Sequence, residues 1–217
     1  MFQKALKVKI IKDKKLLSDK EIYHLLQSLE NDFSEYSYFW VQYGIAARYT
    51  KNFEDAENHL RYALRIRDTY QIQHALAKTQ MERGLYELKS NGLSADSTFN
   101  IGKEAMRKLL ETTSYSYNKA LRFSVHSYID TLLKYSKIKD IPLSEDEVEF
   151  ISRIIKKIGE DDLDTELKQK IVSFIKYCRE NHYEKYSLEL NKMISNCKFE
   201  IEAISDDYDS DLLDFDY

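Results

Sequence analysis

Apolar residues recur three or four positions apart along most of the chain, the spacing that gathers them on one face of an α-helix. Ser18-Asp19-Lys20-Glu21 has the S-x-x-E form of a capping box. Ile22, Leu25, Leu26 and Leu29 follow it on one face, which predicts a helix over 19–32. Phe39, Trp40, Tyr43, Ala46 and Ala47 predict a second over 36–50, broken at Thr50-Lys51-Asn52. Phe53, Ala56, Leu60, Ala63, Leu64 and Ile66 carry the next over 53–67. Ile72, Ala75, Leu76, Met81 and Leu85 carry a longer one over 70–89. Ser90-Asn91-Gly92 ends it, with Asn or Gly able to take the left-handed conformation, and 93–98 (LSADST) reads as a polar loop.

The same period continues at 99–113 (Ile101, Ala105, Leu109, Leu110) and 117–137 (Leu121, Val125, Tyr128, Ile129, Leu132). Lys139-Asp140-Ile141-Pro142 is a break, because Pro142 pushes Ile141 out of the helical region. Ser144 and Glu147 form a second capping box opening a helix over 145–159, with Val148, Ile151, Ile154, Ile155 and Ile158 inside and Gly159 at its end. Helices over 163–180 and 183–197 complete the ordered part. Residues 3–16 fit two readings, an edge strand through Lys7-Val8-Lys9-Ile10 or a ragged helix. Five Gly and one Pro in 217 residues are too few for the turns of a sandwich, barrel or many-stranded sheet. The fold class expected is all-α, antiparallel helical hairpins stacked as a short α-solenoid.

One pair of helices carries a specific pattern. Trp40-x2-Tyr43-Gly44-x2-Ala47 followed by Ala56-x3-Leu60-x2-Ala63 resembles the tetratricopeptide repeat, whose first helix reads W-x2-L-G-x2-Y. Gly44 and Ala56 lack bulk, so two antiparallel helices can approach there. Trp40, Tyr43 and Leu60 fill the space around that contact, and Ala63 admits the next helix. Ala47 stands where a large aromatic is usual. A shift of 34 residues sets His74, Ala77, Lys78 and Met81 on the same frame, with Lys78 too large for its place. Ala105-x3-Leu109-x2-Thr112 then supplies the second helix, across an insertion of about 15 residues relative to the first unit. Later pairs fit as generic hairpins. Phe39-Trp40-x-Gln42-Tyr43-Gly44, Phe53-x2-Ala56 and Tyr70-Gln71-Ile72 also resemble the C-terminal repeat region of bacterial STAND-type NTPases, many of them anti-phage defence receptors. In that family such repeats act as sensor or scaffold. No G-x4-G-K-[ST] occurs here, so the resemblance implies a detached repeat module or a stand-alone relative.

The net charge of −4 hides opposite ends. Residues 1–20 hold seven Lys and two Asp, and residues 199–217 hold eight Asp or Glu and no Lys or Arg. The organisation expected is a basic segment over 1–17, a helical repeat domain over 18–200 and an acidic tail over 201–217. Tyr208, Leu212, Leu213 and Phe215 are apolar positions in that tail that a basic, grooved partner would take; a purely solubilising tail and an intramolecular cover for the basic N-terminal arm are the other readings. Asp207, Asp209 and Asp211 alternate like a calcium loop, but Leu212 stands where Gly is needed. The N-terminus lacks a signal-peptide pattern and no apolar run approaches 18 residues, so a cytoplasmic setting with no membrane partner is expected. Cys178 and Cys197 read as small packed hydrophobes in a reducing compartment.

Catalytic patterns are missing from the sequence. His24, His59, His74, His126 and His182 are scattered, with no H-E-x-x-H, G-x-S-x-G or G-x-G-x-x-G. No cofactor, metal or catalytic residue is assigned. In tandem helix pairs the first helices line a concave groove, and Arg48, Tyr49, Lys78 and Arg83 are the groove candidates for a protein or peptide partner. The expected function is a non-enzymatic protein–protein interaction module. The alternative is a helical protein that contacts nucleic acid through the Lys-rich start, the less favoured partner because the basic cluster lies off the fold. The aromatic abundance, with Tyr115 and Tyr117, also suits a dimer interface.

Overall fold

The computed structural model describes residues 17–90, 92–113, 118–159 and 163–195. Among them lie nine α-helices and no strand, and helices account for 84% of the described residues. They are α1 (Asp19–Phe33), α2 (Ser37–Tyr49), α3 (Phe53–Ile66), α4 (Tyr70–Lys89), α5 (Ala95–Thr112), α6 (Asn118–Lys139), α7 (Glu145–Ile158), α8 (Thr165–Glu180) and α9 (Glu184–Ser195). Residues 1–16 and 196–217 fall outside the description, and with them the two readings of residues 3–16.

Four helix starts carry side-chain caps, while α2, α3 and α5 have none. Ser18 and Glu21 complete the reciprocal capping box. Thr69 and Asp164 cap α4 and α8 by accepting from the N–H groups of Ile72 and Leu167. The second predicted box is only half formed. Ser144 accepts from the Glu147 N–H at 3.3 Å, but the Glu147 carboxylate turns inward to Arg107, Lys103 and Tyr128. Inside the helix stack it meets two cations and a hydroxyl, a stronger set of donors than one backbone amide.

Residues 95–98 are helix, not loop. Ala95, Phe99, Gly102 and Met106 form a buried stripe at helical spacing, and Asp96 sits in the first turn, where a carboxylate is favoured. The polar letters of LSADST are the outer face of that turn, and Asp96 accepts from Tyr135 and Lys139 of α6.

Four helices end in one and the same turn. An N–H two or three residues past the end reaches back to the carbonyl five positions earlier: Asn52 to Ala47 after α2, Gly92 to Glu87 after α4, Ile141 to Ser136 after α6, and Tyr183 to Cys178 after α8, at 2.7–3.2 Å. This is the backbone pattern of a Schellman C-cap. The residue in the left-handed position is Lys51 (φ 64°), Asp140 (φ 52°) and His182 (φ 64°) in three of them. So few glycines suffice because these turns are made by ordinary side chains held strained by the hairpins they close.

Each such turn folds one helix back on the next, giving the hairpins α2/α3, α4/α5, α6/α7 and α8/α9. Helices two apart in sequence also touch. Arg48 of α2 meets Glu82 of α4, and Tyr70 of α4 meets Ser124 of α6. Asp130 of α6 meets Lys170 of α8, Arg107 of α5 meets Glu147 of α7, and Lys156 of α7 meets Glu189 of α9. The α5/α7 pairs (107 with 147, 111 with 153) and the α6/α8 pairs (122 with 164, 130 with 170) rise together in number, so helices two apart run parallel. Leading helix α1 packs on α2 through Tyr23 and Tyr43, ring centroids 5.2 Å apart.

Two apolar clusters fill the interior. One joins α1, α2 and α3 to Ile72 and Ala75 of α4; the other runs from Ala77 of α4 to Ile194 of α9. Helix α4 belongs to both, which is why it is buried nearly all round and lacks a clean polar face.

Candidate functional site

The small-residue seam is assembled as the repeat pattern requires. Gly44 faces Leu60 and the Ala56 carbonyl so closely that an added Cβ would lie 2.7 Å from the Leu60 side chain and 3.1 Å from that oxygen. Ala56, Leu60 and Ala63 are fully buried, and Tyr43 stacks on His59 with centroids 3.9 Å apart. Trp40 is buried against Tyr62 and His59, and its indole N–H donates to the Ser34 carbonyl at 2.7 Å, so it packs within the hairpin.

A second seam of the same design lies in α4/α5, at residues the 34-residue frame passes over. A Cβ on Gly84 would stand 2.6 Å from the Phe99 backbone N, and one on Gly102 would stand 2.6 Å from Met81 N and 2.7 Å from the Ala77 carbonyl. Ala95-x3-Phe99-x2-Gly102 therefore repeats Ala56-x3-Leu60-x2-Ala63, displaced by 39 residues, with Gly84 displaced 40 from Gly44. Ala105 and Thr112, expected on the seam, are exposed. The frame is long because α4 has 20 residues against 13 in α2, and the added turns precede its glycine.

Helices α2, α4, α6 and α8 lie side by side and present a continuous charged face. Arg48 is 2% exposed, its Nε 3.5 Å from the Glu82 carboxylate, which Lys78 also approaches at 3.8 Å. The Lys78 ammonium sits 5.7 Å from the Phe123 ring centre, and His74 packs edge-on to that ring at 5.0 Å. Beyond Phe123, Arg122 faces Asp164 at 3.9 Å, and Asp130 accepts from Lys134 and Lys170, both at 2.6 Å. Arg48, Lys78, Arg122, Lys134 and Lys170 each lie within 4 Å of a carboxylate, Glu82, Asp164 or Asp130. Burial works against ionising Asp130, yet its two lysines hold the carboxyl below its ordinary range. Burial, helped by Lys170 and Lys78, pushes the His126 imidazole down, with Asp130 and Asp164 opposing.

Of the groove candidates, Arg48 and Lys78 share this face, with half-buried Tyr49 beside Arg48, whose guanidinium lies 5.2 Å from the Tyr49 ring. Arg83 does not share it. Five positions past Lys78 it points toward α3, pairing with Glu57 at 3.1 Å and Glu87 at 2.6 Å. Tyr208, Leu212, Leu213, Phe215, Tyr115, Tyr117 and Cys197 lie outside the described residues. The contribution of α6 was not anticipated, although Arg122, His126, Asp130 and Lys134 follow one another at four-residue intervals in the sequence, a polar ladder along one helix face. The pairings with Asp164 and Lys170 were invisible there.

Elsewhere charge is structural. Buried Glu147 joins α5, α6 and α7 by accepting from Arg107 at 3.0 Å and Tyr128 at 2.8 Å, with Lys103 at 3.3 Å. Burial and that carboxylate push the Tyr128 hydroxyl far up, so it stays a donor at any ordinary pH. Cys178 is fully buried and burial pushes its thiol up to about 12, leaving no thiolate. Among the described residues no three His, Cys, Asp or Glu side chains are grouped to hold a metal ion, and no helix is long and apolar enough to cross a membrane. What these residues define is an all-helical protein with adjacent helices packed together. No family model matches the chain, and no curated protein or solved structure matches it.

Proposed function

We propose that the chain is a non-enzymatic protein-binding module, a short tetratricopeptide-like α-solenoid whose partner lies across α2, α4, α6 and α8. The observation that carries this reading is the repetition of one hairpin turn four times, with every second helix set beside its predecessor. Stacking of that kind makes an extended face from several helices, the surface such arrays use for peptides. Cations partly sunk beside an aromatic ring suit carboxylates and backbone carbonyls of a bound segment. The sequence resemblance of Phe39-Trp40-x-Gln42-Tyr43-Gly44 and its neighbours to STAND-type repeats sets the proposed context, a bacterial cytoplasmic defence or signalling complex.

The test is affinity capture of the tagged full chain from the cells that produce it, read by quantitative mass spectrometry. Charge reversal at Lys134 and Lys170 removes the partner, while reversal of Arg153, which pairs with Glu111 between α5 and α7, retains it. Identical captured proteins for wild type and both variants would refute the assignment. The seven lysines of residues 1–20 favour one rival reading, contact with nucleic acid. DNA or RNA binding at physiological salt that is lost when those lysines become glutamine would replace the proposal with the rival.

A further inference from the structure

We infer that the outer side of α3 is an interface for a second copy of this chain. Ala56, Leu60 and Ala63 turn inward and are fully buried, so the opposite stripe of the helix, Glu54, Asn58, Arg61 and Arg65, points outward, and all four residues are exposed. Tyr62 and Ile66 stand beside the stripe, each 40% exposed. Among the described residues, Arg61 pairs with Glu57 of its own helix at 3.3 Å, and no ion pair engages Glu54, Arg65 or Arg67. The stripe has two properties that an interface between identical chains requires.

Self-complementarity is the first. The spacings along the stripe are four, three and four, a palindrome about the midpoint between residues 59 and 60. Two α3 helices laid antiparallel across a two-fold axis at that point set Glu54 of each copy opposite Arg65 of the other, and Asn58 opposite Arg61. A parallel arrangement would set Glu54 against Glu54 and Arg65 against Arg65. The sign order therefore selects the antiparallel pairing, and a two-fold contact needs such a self-complementary patch. Composition is the second. The helix dipole alone favours acids at the start of a helix and bases at its end, but any base serves it. Nine of the 33 basic residues are Arg, three of the nine stand at 61, 65 and 67, and no Lys lies between 52 and 77. Arg and Tyr are favoured in interfaces and Lys is not, because the guanidinium is weakly hydrated and forks onto carboxylates. Tyr62 stands within a turn of the axis, so its two copies flank the centre of the contact. Since the stripe points away from α2, the dimer leaves the α2/α4/α6/α8 face uncovered on both copies.

From Glu54 to Arg65 the helix is about 16 Å long. A contact of that extent belongs with the smallest interfaces, so the dimer is weak, with a Kd on the order of 100 µM. Sedimentation equilibrium of the full chain, over concentrations that bracket this value, tests the inference. Wild type is expected to approach twice the chain mass. Glu54→Arg alone and Arg65→Glu alone each set like charges opposite one another, and each should weaken association at least about tenfold. Two combinations restore it to within about threefold of wild type, because every pair is again of opposite sign: the double variant Glu54→Arg/Arg65→Glu, and an equimolar mixture of the two single variants, which form a heterodimer. Helical circular dichroism unchanged by either substitution confirms that the fold persists. Wild type at a single chain mass throughout, association indifferent to either substitution, or a double variant that associates no better than the singles would overturn the inference.

Discussion

The first two hairpins and the last two close with the same turn but hold their helices apart by different means. Three residues before the carbonyl that accepts in each turn stand Gly44, Gly84, Leu133 and Ile175. In α2/α3 and α4/α5 the glycine lets one helix sit almost against its partner. In α6/α7 and α8/α9 the equivalent position holds a branched side chain packed into the second apolar cluster. The shared turn therefore does not by itself account for the close approach at Gly44 and Gly84. Sensitivity to substitution should be opposite in sign, the early hairpins failing when a side chain grows and the late ones when it shrinks.

The largest expected effect is at Gly102. Alanine there places a Cβ against the Met81 amide and the Ala77 carbonyl, backbone that cannot move without the helix, so Gly102→Ala costs about 3 kcal/mol or more, the upper end for overpacking, measured by urea unfolding. Ile175→Ala, the opposite change in a late hairpin, costs about 3 kcal/mol through a cavity in the same assay. A neutral Gly102→Ala beside a costly Ile175→Ala would break the contrast. Lys51→Gly should raise stability by about 0.5–1 kcal/mol by relieving a left-handed residue in a turn whose bonds are all backbone, a shift readable in the unfolding midpoint.

Acid sharpens the comparison least, yet separates the halves. Burial first, with Asp55 opposing, pushes the His59 imidazole below its ordinary value near 6.5, and His126 in α6 is pushed the same way. Just below 6.5 the unfolded chain then holds more protons than the folded one. Stability is flat above that pH and falls through the window beneath it. His59→Gln should lessen the slope if the early hairpins open first, and His126→Gln if the late ones do, followed by thermal unfolding between about pH 5 and 7.

Most helices were legible because their apolar stripes are regular, and two starts also carry the Ser-x-x-Glu pattern, at Ser18 and Ser144. The first seam was legible because Trp40, Gly44, Ala56 and Ala63 share one frame. The second was hidden because α4 is longer than α2, which moves Gly84 and Gly102 off a 34-residue period, and because a polar outer face at 95–98 imitates a loop. The breaks at 50–52, 90–92 and 139–142 were legible, but not that they share one turn: Lys51 does not announce a left-handed conformation, and Asp140 and His182 favour it without fixing it. Half the charged face could be read from the four-residue ladder on α6. Its completion needed Arg48, Glu82 and Lys170, which three other helices bring to it.

A pair of double-mutant cycles tests most directly whether small residues are there to let helices approach. Gly44→Ala collides mainly with the Leu60 side chain, so adding Leu60→Ala makes room; the double variant should be less destabilised than the sum of the singles by more than about 1 kcal/mol. Gly84→Ala collides with the backbone and Cβ of Phe99, which Phe99→Ala leaves in place, so that cycle should be additive within about 0.5 kcal/mol. Additivity at Gly44, or strong rescue at Gly84, would contradict the account.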